Sequence, residues 1–166
     1  MDDINQLVGD VAAALRRNNL LLVTAESCTG GMIAEYLTRT PGSSEWFEGA
    51  FVTYRLSAKE RMIGVRPSTL DTFGAVSEPT VREMAEGALR ASDAQVSVAV
   101  TGVAGPDGGD LLAPVGTVWF GWGLKRPDPQ CVQTARYDID GNRDSVRRQA
   151  VRIALEGLRQ LLGDGP

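Results

Sequence analysis

Residues 20–32 read LLLVTAESCTGGM. A leucine- and valine-rich run ends at Glu26, Ser27 and Cys28 follow, and Thr29, Gly30 and Gly31 lead into an apolar pattern at helical spacing (Met32, Ile33, Tyr36, Leu37). That order spells strand, tight turn, helix. It sets a hydroxyl and a thiol where a strand ends and a helix begins. Free backbone N–H groups converge at such a point, and the helix dipole favours negative charge there. Attack on a carbonyl calls for a nucleophile in that environment, because an oxyanion must be stabilised as it forms.

Working outward, Leu7, Val8, Val11, Ala12 and Leu15 mark an amphipathic helix over residues 4–18. The strand–turn–helix unit covers 20–39, and the Pro41–Gly42–Ser43–Ser44 run closes it. Residues 47–54 read as a strand. Ser57, with Glu60 three residues on, predicts a capped short helix through Met62. A second short helix spans 67–73 and stops at Gly74; Ser77 and Pro79 then open a longer one to about Ser92. Residues 95–103 are valine-rich and predict a buried strand. Segments 115–124 and 132–139 predict two more strands, paired as a hairpin across 125–130. Asn142 or Asp140 caps a final helix to about Leu162. The pattern predicts an α/β fold, a three-layer α/β/α domain with a mixed β-sheet, and one domain over residues 1–166.

Composition narrows the chemistry. With 166 residues, 43% hydrophobic and 23% charged, the chain has the make-up of an ordinary globular protein. No apolar run approaches the roughly 20 residues that cross a bilayer. The N-terminal MDDINQLVGD lacks a basic signal-peptide region, and two cysteines, Cys28 and Cys131, are too few for a disulfide framework. The expected location is cytoplasmic, with both thiols reduced. A net charge of −4 argues against a nucleic-acid surface. The chain contains no histidine, which removes Ser-His-Asp and Cys-His chemistry. Asp107 and Asp110 lack histidine partners and an ordered ligand loop, so neither a metal nor a cofactor is expected.

Proton transfer must then come from lysine, tyrosine, cysteine or carboxylates. Of 17 basic residues only Lys59 and Lys125 are lysines. A desolvated lysine can lose its proton near neutral pH, whereas arginine cannot. Ser27 serves as a simple N-cap in the plainest reading, but Thr29 can fill that role and leave Ser27 free. Cys28, without histidine to activate it, reads as a small buried hydrophobe. Tyr54 ends a strand and Lys59 follows on the next helix. If that strand neighbours the first, Ser27, Tyr54 and Lys59 share one sheet edge and suffice for amide hydrolysis. Lysine takes the serine proton and tyrosine relays it to the leaving nitrogen. The loop TGVAGPDGG over 101–109 follows a strand, as ligand loops do in α/β proteins, and its glycines, Gly102 and Gly105 among them, can present N–H groups to an anion. Arg143, at the start of the last helix, suits a phosphate or carboxylate. The other arginines of that helix read mostly as a solvated face. Trp119 and Trp122 point to core packing for at least one of them and to a subunit contact for the other.

Several motifs together resemble the CinA C-terminal domain family, most closely its stand-alone branch of nicotinamide-nucleotide amidohydrolases. They are AESCTGG (25–31), PGSSEWFEG (41–49), FVTY (51–54), Ala58–Lys59, GAVSE (74–78), TGVAGPDGG (101–109), PVGTV (114–118) and GNRDSVRRQA (141–150). The resemblance covers nearly the whole chain. It implies hydrolysis of the carboxamide of nicotinamide mononucleotide to nicotinate mononucleotide and ammonia. Ser27 is the implied nucleophile, Lys59 its base and Tyr54 a proton relay. Backbone amides near Cys28, Thr29, Gly30 and Gly31, or at Thr101 and Gly102, would form the oxyanion hole. The resemblance also implies a homo-oligomer acting on a small nucleotide. The chain departs from the family in carrying Arg55–Leu56 after Tyr54 in place of Ser-Asn, and Ala113–Pro114 in place of Lys-Pro. The Arg55–Leu56 change supports an alternative, a non-catalytic nucleotide-binding or regulatory paralogue linked to competence or DNA damage.

Overall fold

The structure, a computed structural model, describes residues 3–125 and 131–163. Its elements run α1 (Asp3–Asn18), β1 (Leu22–Glu26), α2 (Met32–Thr38), a 3₁₀ turn (Ser43–Glu45), β2 (Phe47–Val52), α3 (Leu56–Ile63), α4 (Pro67–Phe73), α5 (Glu78–Arg90), β3 (Val96–Gly102), β4 (Thr117–Leu124), β5 (Cys131–Asp138) and α6 (Arg143–Leu162). The strands form one sheet in the order β2-β1-β3-β4-β5. β1 runs parallel to both β2 and β3, while β4 and β5 are antiparallel to their neighbours. The fold is therefore α/β with a mixed sheet, as the pattern of elements predicts.

Helices cover both faces because the strand side chains alternate. Leu22, Val98 and Val100 pack with residues of α1, α2 and α6 on one face. Val23, Ala25 and Ala99 pack with Val81, Met84, Ala85 and Ala88 of α5 on the other. A strand buried on both sides shows no polar face, which is why β1 and β3 read as nearly continuous apolar runs. Trp122 lies in the first cluster, with its indole N–H donating to the Ala154 carbonyl at 2.9 Å. Trp119 packs against the second cluster from a half-buried position.

Some boundaries differ from the sequence reading. β2 stops at Val52, so Thr53 and Tyr54 leave the sheet. α3 starts one residue before Ser57, with Arg55 as N-cap and no side-chain cap bond. The amides of Ala58 and Lys59 already close on the Arg55 carbonyl, so Ser57 lies inside the helix, exposed, and caps nothing. β4 begins at Thr117 because Gly116, at φ 96°, breaks the extended run. Ser77 and Asn142 do cap α5 and α6, accepting from the Thr80 and Ser145 amides. β4 and β5 lie side by side as a hairpin requires; the turn expected over 125–130 falls, beyond Lys125, outside the described residues.

This topology prepares a site. β1, β2 and β3 are parallel neighbours, so their carboxyl ends open on the same edge of the sheet. The segments after them, around Ser27, Tyr54 and Val103, are brought together there, where open α/β sheets place ligands.

Candidate active site

The turn after β1 is shaped by a residue the sequence reading passed over. Glu26 is fully buried, and its carboxylate accepts five hydrogen bonds. Two come from the Thr24 and Thr29 hydroxyls, at 3.1 and 2.7 Å. Three come from the amides of Gly31, Ile33 and Ala34, at 3.1, 3.0 and 3.0 Å. These are the orphan donors of the first turn of α2, so a carboxylate from the preceding strand caps this helix in place of a local Ser or Thr. Gly31 at the N-cap adopts φ 99°, a conformation that favours glycine. Ser27 itself caps nothing through its side chain. Its amide donates to the Val100 carbonyl of β3 at 3.0 Å, and its carbonyl accepts from the Gly30 amide at 3.0 Å.

The Ser27 hydroxyl faces Lys59. The Lys59 ammonium nitrogen lies 2.9 Å from Ser27 Oγ, and the lysine is 1% exposed. It reaches this position because a helical side chain tilts back toward the helix N-terminus. Nζ also donates to the Thr53 and Tyr54 carbonyls, at 2.6 and 3.2 Å, which point at it because the chain has left the sheet. Burial lowers the Lys59 pKa from 10.5 to about 8. In its neutral form the amine donates two protons to the two carbonyls and keeps its lone pair for the serine hydroxyl.

Cys28 is not set up for nucleophilic work. Burial pushes its thiol up to about 11, against a weaker lowering by its own backbone amide, Arg147 and Lys59. Tyr54 is 55% exposed, and its phenol oxygen accepts from Arg143 Nη2 at 3.0 Å. Arg143 Nη1 also donates to the Gly105 carbonyl at 2.7 Å, which ties α6 to the loop after β3. The Thr101 hydroxyl donates to the Ala75 carbonyl at 2.8 Å.

A cavity of about 250 Å³ joins these groups. Ser27, Cys28, Tyr54, Lys59, Thr101, Gly102, Gly105 and Arg143 all line it. Thr29, Gly30 and Gly31 do not line it, since their groups are turned to Glu26 and to the Ser27 carbonyl. Two residues the chemical reading did not select belong to the site. Asp107 lines the cavity. Arg147 donates from Nε to the Cys28 carbonyl and from Nη2 to the Thr29 carbonyl, both at 3.1 Å. Its helix reads in sequence as a solvated arginine face; Arg147 instead turns inward onto the nucleophile turn. Nothing in the local pattern separates it from the exposed Arg148 beside it.

The sequence profile of the CinA C-terminal domain matches residues 4–162. A Pseudomonas putida protein named nicotinamide-nucleotide amidohydrolase PncC is 51% identical over 161 residues, covering 97% of this chain and 98% of its own. The Escherichia coli K12 protein of the same name is 50% identical over 158 residues, covering 95% and 94%. The crystal structure of the competence/damage inducible protein CihA from Agrobacterium tumefaciens superposes with a TM-score of 0.91 at 42% identity, covering 98% of both chains. By profile, identity and fold together, the chain belongs to the CinA C-terminal domain family.

Proposed function

We propose that this protein hydrolyses the carboxamide of nicotinamide mononucleotide to nicotinate mononucleotide and ammonia, with Ser27 as nucleophile and Lys59 as general base. Relatives about half identical over nearly their whole length carry the name of that activity. The observation that carries the mechanism is the buried amine 2.9 Å from the serine hydroxyl, with its pKa lowered to about 8.

Neutral Lys59 takes the Ser27 proton as Oγ attacks the amide carbon. The pyridinium ring withdraws electrons from that carbon and eases the attack. The tetrahedral oxyanion collapses, the C–N bond breaks, and the proton held on Lys59 passes to the departing nitrogen, which leaves as ammonia. Water, deprotonated by the same amine, then cleaves the serine ester and restores the hydroxyl. Tyr54 serves as the relay to the leaving nitrogen when its exposed phenol turns from Arg143. Arg143 holds the 5′-phosphate, spending remote binding energy on position at the reacting carbon.

The paralogue reading drew on Arg55–Leu56. Both side chains are exposed and neither lines the cavity, so that departure leaves the reacting groups in place. The proposal includes a cytoplasmic homo-oligomer that binds no nucleic acid; the net charge of −4 supports the last part, and among the described residues no helix is long and apolar enough to cross a membrane. The test is ammonia release from nicotinamide mononucleotide by purified protein. Turnover no faster than that of Ser27→Ala would reject the reading.

A further inference from the structure

Three successive carbonyls of the nucleophile turn are engaged. The Ser27 carbonyl accepts from the Gly30 amide, the Cys28 carbonyl from Arg147 Nε, and the Thr29 carbonyl from Arg147 Nη2 and the Met32 amide at 2.9 Å. In a trans peptide the N–H and C=O point in opposite directions, so a pinned carbonyl aims the N–H of the next residue. The amides of Gly30, Gly31, Met32, Ile33 and Ala34 are themselves occupied. Among the described residues the amides of Cys28 and Thr29 donate to no acceptor on another residue, and of the two only Cys28 lines the cavity beside Ser27.

We infer that the Cys28 amide is the oxyanion donor and that Arg147 is a positioning residue that holds this amide in place. This rests on the assignment of Ser27 as nucleophile. The planar guanidinium grips the Cys28 and Thr29 carbonyls from α6, an element that reaches the turn only through the tertiary fold. Its hold on the Thr29 carbonyl aims the Gly30 amide at the Ser27 carbonyl, and that bond in turn fixes the Ser27–Cys28 peptide and aims the Cys28 amide. Such a donor acts only if it is aimed before the charge develops. Arg147 touches neither the amine nor the serine hydroxyl among the described hydrogen bonds, so its loss is felt as slower chemistry rather than as a shifted proton equilibrium.

The test is the rate at which a serine-directed fluorophosphonate labels Ser27, located by peptide mass spectrometry. Oγ attacks phosphorus, Lys59 takes the proton, the O–P bond forms, and the P–F bond breaks to release fluoride. The P–O⁻ that develops needs the same donor as the amide oxyanion. Arg147→Gln, assayed well below its Tm, is expected to label about 10- to 100-fold more slowly than wild type. Arg147→Lys, which keeps the charge and one donor, is expected to fall between them, and the exposed Arg148→Gln to match wild type. The pH midpoint of labelling is expected to stay near that of wild type in all three. A wild-type rate in Arg147→Gln, or a loss that follows a shifted midpoint, would overturn the inference. Absence of labelling at Ser27 in wild type would instead remove the nucleophile assignment, and the inference with it.

Discussion

Replacing Lys59 by Met separates the chemistry of the site from its cost to the fold. The side chain is 1% exposed, and its pKa falls from 10.5 to about 8 because burial disfavours the ammonium. That gap corresponds to roughly 3 kcal/mol. The unfolded chain holds the extra proton more tightly than the folded one. Below pH 8 both states are protonated and the folded state bears the full cost. Between pH 8 and 10.5 the unfolded state binds a proton the folded state lacks, so stability rises with pH, and above 10.5 this contribution is flat. Lys59→Met removes this dependence, along with the hydrogen bonds to Ser27, Thr53 and Tyr54. Urea unfolding of both proteins from pH 7 to 10.5 is expected to show wild type gaining about 3 kcal/mol relative to the variant. At pH 7 the variant is expected to be close to wild type in stability, the relief of the buried charge offsetting the lost bonds. Its ammonia release is expected to fall at least about 10³-fold. Wild-type kcat/KM is expected to rise with pH to a plateau above about 8, as the amine becomes neutral. Parallel stability profiles, or turnover retained by the variant, would refute the assignment of a depressed, catalytic amine.

Cys28→Ala is expected to keep activity within about threefold of wild type, since a thiol raised to about 11 is protonated at working pH; ammonia release measures this, and iodoacetamide should leave Cys28 largely unmodified at pH 8. Arg143→Gln is expected to raise KM for nicotinamide mononucleotide about tenfold or more with a smaller effect on kcat, because a charge-assisted phosphate contact is lost; equal KM values would remove Arg143 from substrate binding. Gly157→Ala is expected to cost about 3 kcal/mol in urea unfolding, because the added methyl would sit 2.1 Å from the Trp122 ring in a packed core.

Much of the site was open to a reader of the sequence. The absence of histidine and the scarcity of lysine direct attention to Lys59, and the strand–turn–helix spelling of residues 20–39 directs it to Ser27. Tyr54 was located at the right edge of the sheet, yet its hydroxyl meets Arg143 and not the serine. Glu26 and Arg147 were hidden for a common reason. A carboxylate inside an apolar strand and an arginine among arginines have no local signature, because their partners are backbone groups that exist only once the chain is folded. Ser57 misled because a capping box is a local preference, and the end of β2 moved the N-cap two residues earlier, to Arg55.

Local chemistry along the chain thus determined the order of strands and helices, the class of fold, and the exclusion of imidazole catalysis, since propensity, periodicity and composition act over short range. Which carboxylate caps α2, which arginine grips the turn, and how far Lys59 is stripped of water were decided in three dimensions. Desolvation and hydrogen-bond geometry depend on residues that lie up to 119 positions apart and meet only in the folded protein.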